Sequence, residues 1–500
     1  MKTLADLITA RDGLILHGNA AVPLAGIACD SRLVGPGYLF AAVPGTRADG
    51  ATYIPDALAR GAAALLVARG RVPAGLAVPV VESAALRADL AWLAAAYHGF
   101  PSSRLELVGV TGTKGKTTTT YLVEAVLRAA GYPTGVVGTI GYRIGGQDLP
   151  ATHTTPDACL LQELLARMVA GGVTHAAMEV SSHALDQHRV DGSQFRAAVF
   201  TNLSRDHLDY HPDFAHYFGA KARLFSDPEL MPGDRSRLNV VNVDDEAGRR
   251  LVPLCRGEVA TLGCSPEAQY RAGEVQLGAA GTSFKLDCPQ GRARVSLRLV
   301  GAFNVHNALA ALAVGVGLGV PLGQVVSALA EVPPVRGRFE RVDWPCGPGV
   351  VVDYAHSPDS LEQALASARR LTAGRLIVVF GCGGDRDPGK RPMMGEIGAR
   401  LADACYVTSD NPRREQPQAI IEQILAGIPE GLRGRCQVDP DRARSIRAAI
   451  TAAGEQDLVL IAGKGHETYQ IFADRTIHFD DAEVARQALA ELHPVTCREP

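Results

Sequence analysis

The 500-residue chain lacks a charge imbalance: 50 Lys plus Arg stand against 53 Asp plus Glu, for a formal net charge of -3. Proteins that grip nucleic acid or an anionic membrane carry a basic excess. Those partners are not expected, although a local basic pocket for a small anion stays open. The chain also lacks a run fit for lipid. Its longest uncharged stretch, Leu299 to Ala330, holds Asn304, His306, Asn307, Gln324 and Pro321, with Gly315, Gly317 and Gly319, a mixture unsuited to a lipid-facing helix. It reads as a buried helix, a turn and the start of another helix. The opening MKTLADLITARDG is broken by Asp6, Arg11 and Asp12, so no secretory apolar core is read there. Ten cysteines run from Cys29 to Cys497 without a C-x-x-C pair, which argues against a disulfide framework or a zinc finger. A reducing cytoplasm is expected. Internal repeats and low-complexity tracts are absent as well.

What is present is an ordinary globular balance, 47% apolar and 21% charged, over a length that suggests about three domains. Residues 1–100 are rich in Ala and Val, with short runs such as AALLVAR and a loop VPGTRADG. Residues 101–335 open on an apolar strand, LELVGVT, that runs into a Gly-rich turn and a helix. Residues 336–500 contain four strand-like runs, GVVVD, RLIVVFG, ACYVTS and DLVLIAG, with helical stretches such as SLEQALASARRL between them. Alternating strand and helix implies an α/β fold with mainly parallel sheets. Ligands of such sheets sit beyond the carboxyl ends of the strands.

The strongest motif is GVTGTKGKTTTT, residues 109–120. Gly112 and Gly115 would let backbone amides approach phosphate oxygens, Lys116 would meet the terminal phosphates, and Thr117 offers a hydroxyl to Mg2+. A helix beginning here would aim its positive end at the same place. Leu122, Ala125, Val126 and Ala129 share one helical face. The general phosphate-loop pattern wants Gly where Val110 stands, so this loop is a variant.

That variant resembles the ATP loop of the Mur ligase family, which usually has Asn where this chain has Lys114. Further family motifs follow in order: THTTPD (152–157), MEVSSHALDQHRV (178–190), TNLSRDHLDYH (201–211), YFGAKARLF (217–225), GAFNVHNALAA (301–311), VRGRFERV (335–342) and VVDYAHSPDSL (351–361). GCGGDRDPGKRPMM, TSDNPRRE and AGKGHETYQ complete the set. The resemblance implies three domains: an N-terminal UDP-sugar-binding domain (1–100), a central P-loop ATPase (101–335) and a C-terminal Rossmann-like amino-acid-binding domain (336–500). It implies ATP and Mg2+, with an acyl-phosphate route to an amide. The nucleotide would be held by Gly112, Thr113, Lys114, Gly115, Lys116, Thr117 and Thr118, with Asn304 at adenine, Asp353 at ribose, and Arg338 and His356 near the phosphates. Thr117 and Glu179 would hold one Mg2+ and His207 a second, supported by Lys221 as a carbamate. Lys116, Lys221, His207 and Glu179 form the expected catalytic set. UDP-N-acetylmuramoyl-L-alanyl-D-glutamate would meet Ser31, Thr46, Arg47 and Ala48, then Thr154, Thr155, Ser181, Gln187 and Arg189.

The incoming amino acid is read from Asp410-Asn411-Pro412-Arg413, the family form associated with meso-diaminopimelate. That amino acid differs from lysine by a second carboxylate, which a guanidinium grips through two parallel hydrogen bonds. Arg386, Gly463 and Glu467 would complete the pocket, Glu467 meeting the ammonium group. AGKGHE lacks the spacing and hydroxyl of a phosphate loop, and its His-Glu lacks the second His of a zinc protease. Three other readings remain: a lysine-adding ligase of the same family, a folylpolyglutamate synthase and a non-catalytic nucleotide switch. A monomer is the expected state.

Overall fold

The computed structural model describes residues 2–45, 48–231, 236–278 and 281–493. Three large sheets occupy consecutive stretches of chain. In the first, the strands run in the order Ile15–His17, Val80–Ser83, Ala64–Ala68, Tyr38–Ala41, Gly26–Ala28. All neighbours are parallel except the first pair. The helix Leu86–His98 packs on this sheet through Leu86, Leu90 and Leu93.

The central sheet has eleven strands. Its middle is parallel, and apolar runs such as Leu238–Asn242 and His175–Glu179 are buried along their whole length, as strands covered on both faces must be. Both edges turn antiparallel. One is the hairpin Tyr142–Ile144 with Gln147–Leu149, and the other the meander Tyr270–Gly278, Gly281–Cys288, Gly291–Leu297. The strand Glu106–Thr111 lies between His175–Glu179 and Ala197–Phe200. Its two neighbours are reached on opposite sides, which leaves a crevice beyond Thr111.

The helix Lys116–Ala129 fills one face of this sheet. Leu122, Ala125 and Val126 are buried as the periodicity predicts, but Ala129 is exposed because the last turn runs past the core. This helix packs on Phe303–Gly317, whose alanines and Gly315 permit close approach: a Cβ on Gly315 would come within 2.7 Å of Val126. The uncharged stretch thus forms two helices, Phe303–Gly317 and Leu322–Glu331. Each fully buried Leu or Val in these layers stabilises the fold by roughly 1.5–3 kcal/mol.

The third sheet orders its strands Glu340–Arg341, Gly349–Asp353, Leu458–Ala462, Leu376–Phe380, Ala404–Val407, Cys436–Val438. Only the first pair is antiparallel. The four strand-like runs are its four inner strands, and both edge strands were invisible to sequence reading. The loops after Asp353, Phe380, Val407 and Ala462 therefore leave one edge of the sheet together.

Candidate active site

A cleft of about 800 Å³ opens beyond these strand ends, lined by residues 113–118 of the central sheet and by Asp353–Ser357 and Arg386 of the third. Its floor is the phosphate loop. Gly112 has φ 149° and a Cβ there would fall 1.9 Å from Thr201 Oγ1; Gly115 has φ 84° and a Cβ would meet Asn307 Oδ1 at 2.5 Å. Only glycine suits both positions. The loop is pinned from below: Thr113 N donates to Asn202 O (2.9 Å), Lys114 N to Asn202 Oδ1 (2.9 Å), and Thr201 Oγ1 to Lys114 O (2.6 Å).

Three lysines surround this loop, and among the described residues no carboxylate is bonded to any of them. Lys116 Nζ donates to Gly112 O and Thr113 O, both at 2.9 Å. Lys221 Nζ donates to Gly112 O at 2.8 Å from behind the loop. Lys114 Nζ is buried without a hydrogen-bond partner. Burial pushes the Lys114 amine down to about 8, lowers that of Lys116, and holds that of Lys221 well below the ordinary lysine range. Buried cations without counter-ions mark a place that an anion would stabilise.

Above the loop, Thr117 Oγ1 donates to Glu179 Oε2 (2.9 Å) and receives Arg338 Nη2 (2.9 Å). Thr139, which sequence reading missed, donates to Glu179 through its amide (2.8 Å) and hydroxyl (3.1 Å). His207 lines the cleft at φ 56°, against the ring of His183 at 4.8 Å. Burial drives it down to about 3. Its neighbour Asp206 is a second missed residue. Burial opposes its ionisation, but His207, His356 and Lys116 draw its carboxyl below the ordinary range. Lys221 lies behind the loop rather than on the cleft wall, fully buried on the helix Phe214–Ser226 with its amine 4.7 Å from the Tyr217 ring.

Thr118, His356 and Asp353 are on the wall. Asp353 Oδ2 accepts from Phe339 N at 2.7 Å, and burial raises its carboxyl to about 6. His356 is lowered to about 4 by burial. The Arg338 guanidinium stacks 4.6 Å from the Tyr354 ring and reaches across to Thr117 of the central unit. Asn304 does not line the cleft. Its Nδ2 donates to Val300 O (2.8 Å) and its Oδ1 accepts from Asn307 (2.9 Å), so it lies behind the wall while Asn307 and His306 face the cleft. The periodicity could not separate these three polar positions of one helix.

Thr154, Thr155, Ser181 and Arg189 form the opposite end. Thr155 Oγ1 donates to Glu179 O (2.8 Å), Ser181 N donates to Thr155 Oγ1 (3.0 Å), and Arg189 Nη1 donates to Thr155 O (2.9 Å). Gln187 lies one step back, accepting from Arg189 Nη2 at 2.8 Å. Ser31 is buried in the first sheet's loop and Ala48 is exposed on its surface; neither lines the cleft. Thr46 and Arg47 lie outside the described residues.

A second constellation sits at the ends of the third sheet's strands. Asn411 Nδ2 donates to Glu467 Oε2 (2.8 Å), and buried Lys464 Nζ donates to Asn411 Oδ1 (3.2 Å) and Glu467 Oε2 (3.1 Å). Burial raises the Glu467 carboxyl. Gly463, at φ 119°, leaves no room for a Cβ beside Asp410 Oδ2 at 2.7 Å. Arg413 adopts φ 54° after Pro412 and donates to Gly384 O at 2.7 Å. A methyl on Gly383 would lie 2.9 Å from Arg413 Nη1 and 3.8 Å from Arg386 Cγ, so the two arginines flank one glycine. Arg386 is also on the cleft wall, which joins this constellation to the first. Lys464 escaped sequence reading because a Gly-Lys-Gly loop resembles a failed phosphate loop.

Comparison with known proteins identifies the assembly. Residues 110–315 match the Mur ligase middle domain, 337–465 the Mur ligase glutamate ligase domain, and 23–106 the Mur ligase family catalytic domain. A UDP-N-acetylmuramoyl-L-alanyl-D-glutamate–2,6-diaminopimelate ligase from Gloeobacter violaceus is 48% identical over 97% of each chain. The chain belongs to the Mur ligase family. Among solved structures, a UDP-N-acetylmuramoyl-L-alanyl-D-glutamate–2,6-diaminopimelate ligase superposes with a TM-score of 0.69 at 32% identity, covering 98% of this Mur ligase and 99% of that chain. The folylpolyglutamate synthase of Mycobacterium tuberculosis complexed with ADP shares the fold, with a TM-score of 0.62 at 20% identity over 74% of this chain and 90% of that one. As a Mur ligase, the protein is an amide-bond-forming ligase. Among the described residues no helix is long and apolar enough to cross a membrane.

Proposed function

We propose that this Mur ligase joins meso-2,6-diaminopimelate to the D-glutamate carboxylate of UDP-N-acetylmuramoyl-L-alanyl-D-glutamate, driven by ATP, in the synthesis of a peptidoglycan precursor. The observation that carries the substrate choice is the pairing of Arg413 and Arg386 around Gly383, beside the Asn411–Lys464–Glu467 cluster. An amino acid with a carboxylate at each end suits two guanidiniums and a carboxylate, where lysine would leave a guanidinium facing an ammonium group. The naming of the Gloeobacter relative supports the same choice. The folylpolyglutamate synthase structure shares only the fold, at 20% identity against 48% for the Gloeobacter relative, and so lends that alternative little support.

Amide formation from a carboxylate is uphill, and carboxylate oxygen leaves poorly. Attack by the carboxylate on the γ-phosphate of ATP gives an acyl phosphate and ADP. The neutral amine then adds to the carbonyl, and phosphate leaves from the tetrahedral intermediate. Anionic carboxylate must approach anionic nucleotide, so positive charge at the meeting point lowers the barrier. Lys116, Lys114 and Arg338 supply it, Asp353 and Asn307 hold the nucleoside end, and Arg189, Thr154, Thr155 and Ser181 hold the muramoyl-peptide. The N-terminal domain takes the UDP end, with Ser31, Thr46, Arg47 and Ala48 as its proposed contacts.

The donors Thr117 Oγ1 and Glu179 Oε2, 2.9 Å apart, are the hard oxygens that Mg2+ prefers. Mg2+ held there and by His207 would neutralise phosphate oxygens. Lys221 is suited to carbamoylation, Lys-NH2 + CO2 giving Lys-NH-COO− + H+. The reaction needs a neutral amine, and burial without a carboxylate partner favours the neutral form.

The test is phosphate release by the purified protein with ATP, Mg2+ and UDP-N-acetylmuramoyl-L-alanyl-D-glutamate, comparing meso-diaminopimelate with L-lysine. Release with diaminopimelate alone is expected. Release with lysine alone would overturn the role given to Arg413, and ATP binding without release in either case would overturn the proposed substrates.

A further inference from the structure

Two cysteines, one from the first sheet's unit and one from the central unit, meet beside the Thr154–Thr155 end of the cleft. Cys29 follows the strand Gly26–Ala28 of the first sheet, and Cys159 lies in the first turn of the helix Ala158–Ala170 of the central unit, two residues after its cap Asp157. A ligand atom from each of Cys29, Asp157 and Cys159 lies within 4.8 Å of the others. Cys29 Sγ is 3.6 Å from Asp157 Oδ1. Both thiols are free, and the ligation chemistry uses neither.

We propose that Cys29, Asp157 and Cys159 form a binding site for a thiophilic divalent cation of the Zn2+ type that ties the first sheet to the central unit. Tetrahedral zinc with Zn–S about 2.3 Å and Zn–O about 2.1 Å places S and O about 3.6 Å apart and two S atoms about 3.8 Å apart. The observed sulfur–oxygen separation already has that value, and all three ligand atoms lie within 4.8 Å of one another. Thiolate sulfur selects such a cation over Mg2+, which favours oxygen donors. Asp157 is held in place for the task, since its Oδ1 accepts the amides of Cys159 (3.0 Å) and Leu160 (3.1 Å) as the cap of the helix. Outer contacts of this kind orient metal ligands and sharpen affinity.

Loading is proton-coupled. Two thiols and the cation give two metal-bound thiolates and two protons released to solvent, with no change of oxidation state. Two thiolates and a carboxylate leave a fourth position for water. Because one ligand belongs to the first sheet and two to the central unit, occupancy fixes their relative position next to Thr155 and Arg189.

The full-length reduced protein, stripped with a chelator, is titrated with Co2+ in the presence of excess Mg2+. One Co2+ per chain with a near-ultraviolet thiolate charge-transfer band is expected, displaced by one Zn2+. Cys29→Ser and Cys159→Ser should each abolish the band, Asp157→Asn should weaken binding at least tenfold, and Cys264→Ser should leave it intact. Should a serine variant fold poorly, alkylation of the wild-type protein followed by mass mapping gives the same answer, with Zn2+ protecting Cys29 and Cys159. Absence of a thiolate band in the wild type, its survival in Cys29→Ser, or unprotected Cys29 and Cys159 would overturn the proposal. So would formation of a Cys29–Cys159 disulfide by a chain that binds no Co2+ when reduced.

Discussion

Arg413 holds a left-handed backbone conformation that non-glycine residues seldom adopt, and its guanidinium is anchored on Gly384 O. An anchored guanidinium loses little freedom when it takes a carboxylate. Arg413→Ala should therefore weaken diaminopimelate use by about 2–4 kcal/mol, roughly 30- to 1000-fold in kcat/KM, while ATP affinity changes little. Steady-state kinetics with the amino acid as varied substrate measures this, and an unchanged kcat/KM would count against the assignment. Lys221→Ala should lose activity and regain part of it with a small added carboxylic acid, because the missing group is an anion. Activity assays across a series of such acids test this, and failure with every one would argue against a carbamate. At this scale Lys116 could be singled out from its Gly-rich loop alone, whereas Glu179 and Arg413 were singled out only through the family resemblance, since a Glu at a strand end or an Arg in a loop reads as an ordinary solvated charge. Asp206 and Thr139 were not singled out at all, since Asp and Thr in loops read as ordinary turn formers. Their approach to Lys116 and Glu179 depends on contacts remote in sequence.

Elements carry these residues to their places. The inner strands of the third sheet could be read as short apolar runs, because a strand covered on both faces has no polar side to dilute the signal. The edge strands Glu340–Arg341 and Cys436–Val438, and the half-exposed meander from Tyr270 to Leu297, lack that signature. The ends of the third sheet are braced by Arg442, on the helix Arg442–Ala452. It pairs with Asp481 at 2.7 Å, both side chains at 0% exposure, and donates to Ala462 O at 3.0 Å and Ser409 O at 3.4 Å. One guanidinium thus spans the strand ends that lead into Asn411 and Glu467. Removing its partner would strand a buried charge, so Asp481→Ala should cost about 3–5 kcal/mol, whereas Arg442→Met with Asp481→Leu should recover much of that loss. Thermal unfolding of the three proteins checks the order. The double variant should still use diaminopimelate poorly, since the brace between the two loops is gone.

Across the whole molecule, the cleft is shared: Arg338 belongs to the third unit by sequence and bonds Thr117 of the central one. Gly337 packs against the backbone of His466, where a Cβ would fall 2.0 Å from its amide nitrogen, so nucleotide-side and amino-acid-side loops touch. Three half-buried histidines stand around this junction, with His207 and His466 pushed down to about 3 and His356 to about 4. Below about pH 6.5 the unfolded chain takes up protons that the folded cleft refuses. The stability they contribute is therefore full above that pH and is lost as pH falls from about 6.5 toward about 3. Urea unfolding at about pH 7.5 and about pH 5 should show the lower midpoint in acid, with His466→Asn reducing the difference. The partnerless amine of Lys114 carries a consequence of another kind. Burial holds it down at about 8, and an arriving phosphate draws it toward the charged form. Nucleotide binding then takes a proton from the medium. In calorimetry at pH 8, the heat of binding should change with the ionisation enthalpy of the buffer, and that dependence should fade in mildly acidic solution and in Lys114→Asn.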